Sequence, residues 1–119
     1  MNHIMKLTPD PFERIKCGVK VIEVRLFDDK RKKISLGDTI TFLKRPSLDS
    51  SVITEVLGLS RFKDFKTLFL IFGTQPFGYP QDKSVEEMVL GMREAYSEKE
   101  EKQCGVLGIH IKVLDSTSA

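Results

Sequence analysis

With 119 residues, 40% hydrophobic and 30% charged, the chain has the length and composition of one globular domain with a core that needs no disulfide or metal staples. No apolar run approaches the ~18 residues needed to span a bilayer. Residues 1–6 also lack the long apolar stretch of a secretion signal, so the expectation is a cytoplasmic protein with no membrane partner.

The net charge of +2 hides an asymmetry. Residues 1–45 carry eleven Lys and Arg against six Asp and Glu, whereas residues 46–119 carry eight against eleven. This points to an anionic partner for the N-terminal half, although a solvated basic surface would look the same.

In chain order, residues 5–7 read as a short strand. Thr8-Pro9-Asp10-Pro11 then opens a helix, with Asp10 as its cap and Pro11 at its first position. Phe12 and Ile15 form its apolar face, and Gly18 can end it in a left-handed conformation. A second strand is expected over residues 20–26, followed by a charged connection at 28–33. Gly37-Asp38 reads as a tight turn before a β-branched strand at 39–43, and Pro46 opens a loop. Residues 52–59 read as a strand with Gly58 at a bulge.

Residues 65–72 fit helix or strand by pattern, and Asp64 as a cap favours a short helix. Pro76, Gly78 and Pro80 make residues 73–83 a loop. Ser84-Val85-Glu86-Glu87 is a capping box, and Val85, Met88, Val89, Met92 and Tyr96 fall on one apolar helix face. An acidic run at 98–103 leads to a last strand at 105–114. Five or six short strands with helices at the edges make an α+β fold, the strands curled into a small barrel. One domain is expected over residues 1–119, with its core at about 4–115.

Gly18-Val19-Lys20-Val21-Ile22-Glu23-Val24-Arg25 places three charges in a segment whose Val and Ile residues otherwise describe a buried strand. Glu23 and Arg25 share one face of that strand. Lys20 starts on the other, unless irregularity after Gly18 turns it round. The plain reading is a surface ion-pair cluster contributing about 0–1 kcal/mol per pair. The functional reading is a polar site, with Arg25 as a planar fork for phosphate or carboxylate and Lys20 as a point charge or proton-transfer group.

Lys30, Arg31, Lys32 and Lys33, with Lys44 and Arg45 nearby, could contact a nucleic-acid backbone or simply form a solvated loop. Phe77 and Tyr79 could stack on a base or cover the core. Tyr96 reads as core with its hydroxyl outward. His3 and His110 are isolated, and Cys17 and Cys104 have no metal-ligand spacing, so no zinc or other cofactor is expected. Both cysteines read as free, buried, small apolar residues.

The pattern Gly18-x-Lys20-x-x-Glu23-x-Arg25 resembles the signature of the ASCH domain, a PUA-like β-barrel family. Lys6-Leu7, Pro11-Phe12-x-x-Ile15, Gly37-Asp38-x-Ile40-x-Phe42 and Gly105-Val106-x-x-Ile109 fit the family pattern in order. The resemblance implies a small barrel of five to six strands with flanking helices. Its cleft would be lined by the signature residues, and its ligand would be RNA or a modified nucleoside or nucleotide.

Some ASCH proteins are amidohydrolases that deacetylate N4-acetylcytidine with a lysine, a threonine and a glutamate. Others are linked to ribonuclease activity or occur as modules in transcription coactivators. Here the lysine corresponds to Lys20, but the threonine position is Glu23. The region expected to supply the glutamate offers Gln75, Gln81 and Asp82. A carboxylate at 23 can act as a base towards water, not as a hydroxyl nucleophile.

Three readings follow. In the first, the protein binds RNA or a nucleoside at Lys20, Glu23 and Arg25, with Phe77 and Tyr79 as lids. In the second it is a hydrolase, in which Lys20 stabilises developing negative charge and Glu23 activates water or a 2′-hydroxyl. In the third it is an interaction module, its basic loop at residues 30–33 docking an acidic protein.

Overall fold

The computed structural model describes residues 1–117. Its elements run β1 (Asn2–Leu7), α1 (Pro9–Lys16), β2 (Ile22–Leu26), β3 (Thr39–Lys44), β4 (Ser51–Phe62), α2 (Phe65–Phe72), α3 (Val85–Arg93), α4 (Glu98–Cys104) and β5 (Val106–Thr117). Single 3₁₀ turns occur at Arg31–Lys33 and Gln75–Phe77. None of the helices among the described residues is long and apolar enough to cross a membrane.

The strands form one sheet in the order β1-β3-β4-β5-β2. β1 runs parallel to β3, and every other pair is antiparallel. The expected barrel is therefore an open sheet, because its edge strands β1 and β2 share no backbone ladder. The two edges nevertheless come within reach of one side chain. The Arg25 guanidinium on β2 donates to the Lys6 carbonyl oxygen on β1 at 3.0 Å. Gly58 sits at a bulge as expected: Val56 pairs with Ile111 and Gly58 with His110, leaving Leu57 as the extra, exposed residue.

Helix starts follow local chemistry, with two departures from the sequence reading. The first is that α1 begins at Pro9, not Pro11, with Thr8 rather than Asp10 in the cap position. Pro9 holds Thr8 extended, at ψ 163°, and the first turn of a helix needs no N–H donors, so both prolines fit inside that turn. Gly18 follows with φ +84°, as expected.

The second departure is the acidic run at 98–103, which is helix α4. The Ser97 hydroxyl accepts from the Glu100 amide at 3.1 Å, and the Glu100 carboxylate accepts from the Ser97 amide at 3.0 Å. This is a capping box, with acidic residues favourably placed at the positive end of the helix. Asp64 caps α2 as expected, accepting from the Thr67 amide at 2.8 Å.

Two apolar clusters hold the sheet. One fills its inner face with Met5, Leu7, Phe12, Ile15, Phe42, Leu107 and Ile109, among others. The other packs Ile22, Val24, Leu26 and Val106 beneath α2, α3 and the Gln75–Phe77 turn. Each fully buried phenylalanine, such as Phe12, Phe42 or Phe69, contributes about 1.5–3 kcal/mol of transfer free energy.

The register of β2 fixes the placement that matters most. Glu23 lies opposite Ile109 and Arg25 opposite Leu107. Directly opposed residues project from the same face. Both charges are thus aimed into the apolar inner face, at the unpaired seam between β1 and β2.

Candidate functional site

Lys20 precedes β2 and lies outside its ladder. The carbonyl of Arg14, on the last turn of α1, accepts from both the Val19 amide (3.0 Å) and the Lys20 amide (2.9 Å). This irregularity brings the Lys20 ammonium to the same side as Glu23, 2.8 Å from Glu23 Oε1. Arg25 Nε donates to Glu23 Oε2 at 2.7 Å. One carboxylate thus serves two cations, one per oxygen. Glu23 is only 3% exposed and Lys20 7%, so the surface ion-pair reading does not hold.

Burial by itself raises a carboxyl pKa. Here the Lys20 and Arg25 charges, with their hydrogen bonds, outweigh burial and hold Glu23 at about 2. Burial likewise works against the Arg25 charge, but Glu23 and then Tyr96 push its pKa above the ordinary value. Tyr96, read as core with an outward hydroxyl, lines the cleft beside Arg25 and favours its charge.

The triad opens onto a cleft of about 620 Å³ between the β1–α1 junction, β2, the loop around Tyr79 and the C-terminal end of α3. Lys6, Arg14, Lys20, Arg25, Arg45 and Lys83 line it, against Asp10, Glu23 and Glu94. Phe77 and Tyr79 form an aromatic wall, their rings stacked at 6.1 Å. Phe77 is 1% exposed and belongs to the core, while Tyr79 is half-buried. The Tyr79 ring is flanked by the Arg14 guanidinium at 5.0 Å and the Lys83 ammonium at 4.0 Å.

Other residues singled out in the sequence lie elsewhere. Lys30, Arg31, Lys32 and Lys33 do not line the cleft. Arg31 is paired with Asp28 at 2.9 Å and Lys32 with Asp29 at 3.7 Å. Lys44 is paired with Glu13 at 2.8 Å, whereas its neighbour Arg45 reaches the cleft. Gln75 and Gln81 line a separate depression with Gly18 and Val19, and Asp82 lines neither.

His3 and His110 are not isolated. His3 Nε2 is 2.8 Å from Asp38, and His110 Nε2 is 2.8 Å from the Ser60 hydroxyl, with burial lowering the His110 pKa. Both cysteines are free, but Cys17 is exposed and Cys104 only half-buried. Cys17 sits where α1 ends and the chain turns outward at Gly18.

Sequence reading missed Arg14, Lys83, Tyr96 and the carboxylates Asp10 and Glu94. For Arg14 a signal existed: it falls between Phe12 and Ile15, the buried face of α1. It also missed a second buried carboxylate, Glu101, which accepts from the Phe65 amide and from Arg93, both at 2.6 Å.

The family model of the ASCH domain matches residues 5–115. The chain is similar to the crystal structure of hypothetical protein PH0355, with 35% identity, 96% of this chain and 100% of that one covered, and a TM-score of 0.83. It is similar to the solution NMR structure of protein PF0455 from Pyrococcus furiosus, with 32% identity, 97% and 99% coverage, and a TM-score of 0.75. In fold alone, at 13% identity, it is similar to ASCH from Zymomonas mobilis, with 98% of this chain and 73% of that one covered and a TM-score of 0.62. No curated protein matches the chain.

Proposed function

The chain belongs to the ASCH domain family, and on that premise we propose that it binds RNA, or a modified nucleoside or nucleotide, in the cleft above Lys20, Glu23 and Arg25. The observation that carries this reading is a buried charged triad at the base of a cleft whose lining is mainly cationic and partly aromatic. Glu23 fixes the positions of Lys20 and Arg25 before any ligand arrives, and a preorganised polar floor loses little freedom on binding. Tyr79 is the ring a base could reach, since Phe77 is closed off in the core. The open seam between β1 and β2, bridged by Arg25, lies along the floor of this cleft. Lys30, Lys32 and Lys33 add long-range attraction for a polyanion and no contact in the cleft.

The hydrolase reading has less support. An effective general base has a pKa near working pH, whereas Glu23 is held at about 2 with both oxygens engaged. In this reading Glu23 is the anion that organises two cations, so the protein is expected to release no cytidine from N4-acetylcytidine, followed by mass spectrometry.

Binding is tested by fluorescence anisotropy with a labelled single-stranded oligoribonucleotide at increasing salt. Affinity should fall with a log–log slope of about −0.7 per phosphate contacted and weaken in Arg45→Glu. Absence of binding at low salt, or binding indifferent to both salt and Arg45→Glu, would refute RNA as the ligand of this cleft.

A further inference from the structure

The cations of the cleft fall into two groups. Lys20 and Arg25 share the single Glu23 carboxylate, a triad of net charge +1. Lys6, Arg14, Arg45 and Lys83 have no carboxylate within ion-pair distance among the described residues. Asp10 and Glu94 are the cleft carboxylates likewise left unpaired there. Four cations against two anions leave the cleft with unspent positive charge.

Arg14 stands out within that group. Its Nε is buried and has no acceptor, which is rare for a polar group in a folded protein. Arg31 and Arg93 also carry such a nitrogen, but each of those guanidiniums already holds a carboxylate, Asp28 at 2.9 Å and Glu101 at 2.6 Å. Arg14 holds none.

Its position is nevertheless fixed. Its carbonyl ties α1 to the Lys20 turn, and its guanidinium lies against Tyr79. Its stem passes so close to Gly78 that a Cβ there would sit 3.1 Å from Arg14 Cδ. A guanidinium that lines the cleft without a carboxylate of its own, beside an aromatic ring and a second free cation at Lys83, is the arrangement a phosphate group completes.

We propose that the cleft binds the phosphate of a nucleotide unit, with Arg14 as the hydrogen-bonding anchor and Lys83 as the second positive charge, so that nucleotides or RNA are taken in preference to free nucleosides. This rests on the cleft reading above and narrows it. Either a 5′-monoester or a backbone diester supplies that phosphate.

Calorimetry would compare the four common nucleosides, their 5′-monophosphates and an octaribonucleotide with hydroxyl ends, against wild type, Arg14→Met and Lys83→Met. Lys112→Ala, on an exposed β5 position, serves as the control. At least one monophosphate, or the octamer, should bind about 10- to 100-fold more tightly than the nucleosides, the value of a hydrogen bond to a charged group. Arg14→Met should abolish that preference, while Lys112→Ala keeps it. A preference for the monophosphate identifies the monoester, and a preference for the octamer alone identifies the diester. Should Arg14→Met fail to fold by circular dichroism, Lys83→Met carries the test through a weaker preference and a shallower salt dependence. Nucleosides binding as tightly as nucleotides would overturn the phosphate assignment and spare the cleft. No binding by any probe would overturn both.

Discussion

Replacing Glu23 by Gln removes the anion shared by two buried cations and leaves their shape almost unchanged. The structure sets the size of the effect. Folding takes the Glu23 carboxyl from its ordinary value of 4.5 to about 2. At ~1.4 kcal/mol per unit this makes the ionised form worth about 3 kcal/mol to the folded state. Breaking a buried ion pair by removing one partner typically costs about 3–5 kcal/mol. The Gln carbonyl can still accept one hydrogen bond, so the lower end is expected. With a urea dependence of about 2 kcal/mol per molar, the midpoint for Glu23→Gln at pH 7 should drop by about 1.5 M in a far-UV circular dichroism titration.

The pH dependence carries the sign. A depressed carboxyl stabilises the fold fully above its unfolded pKa, and the contribution is lost as pH falls through the folded pKa. The gap between wild type and Glu23→Gln should therefore be constant above about pH 5 and narrow between 4.5 and about 2. A midpoint shift under about 0.3 M at pH 7, or a gap that does not shrink in acid, would show that the triad is not the buried, coupled unit described.

Three further outcomes are expected. Arg25→Lys keeps the charge but has one nitrogen where Arg25 uses Nε for Glu23 and a second nitrogen for the Lys6 carbonyl. It should lower thermal stability by about 1–2 kcal/mol, and an unchanged melt would deny the guanidinium its role across the seam. Gly78→Ala places a Cβ at φ +72°, 3.0 Å from Val19 Cγ2 and 3.1 Å from Arg14 Cδ. It should cost at least about 1 kcal/mol by urea titration and reduce nucleotide affinity with it, whereas full affinity would show that the position of Arg14 does not matter. Ser97→Ala removes one half of the α4 capping box and should cost about 1 kcal/mol. Faster amide exchange over residues 98–104 should accompany that loss, and unaltered exchange would count against the cap.

Where a sequence signal and its structural partner lie within a few residues of each other, the amino acids alone were sufficient. Ser84 with Glu87 announced α3, Asp64 announced α2, and Gly58 marked the bulge, because caps and bulges are satisfied by neighbours along the chain. Ser97 with Glu100 carried the same kind of signal for α4, and the acidity of that run masked it. The spacing of Glu23 and Arg25 placed them on one face of a strand, and the whole Gly18 to Arg25 pattern pointed to the family.

What local pattern could not decide was which face of that strand is inside. A two-residue period describes two equivalent sides, and only pairing with Leu107 and Ile109 turns Glu23 and Arg25 into the apolar interior. Lys20 joins them because α1, not β2, holds its amide. Arg25 meets the Lys6 carbonyl across 19 residues of sequence, and Arg14 meets Tyr79 across more than sixty. Burial and charge pairing depend on atoms brought together from distant segments, so the composition of the site was written in the sequence, while its electrostatics arose only when the fold brought the two sheet edges within reach of the Arg25 side chain.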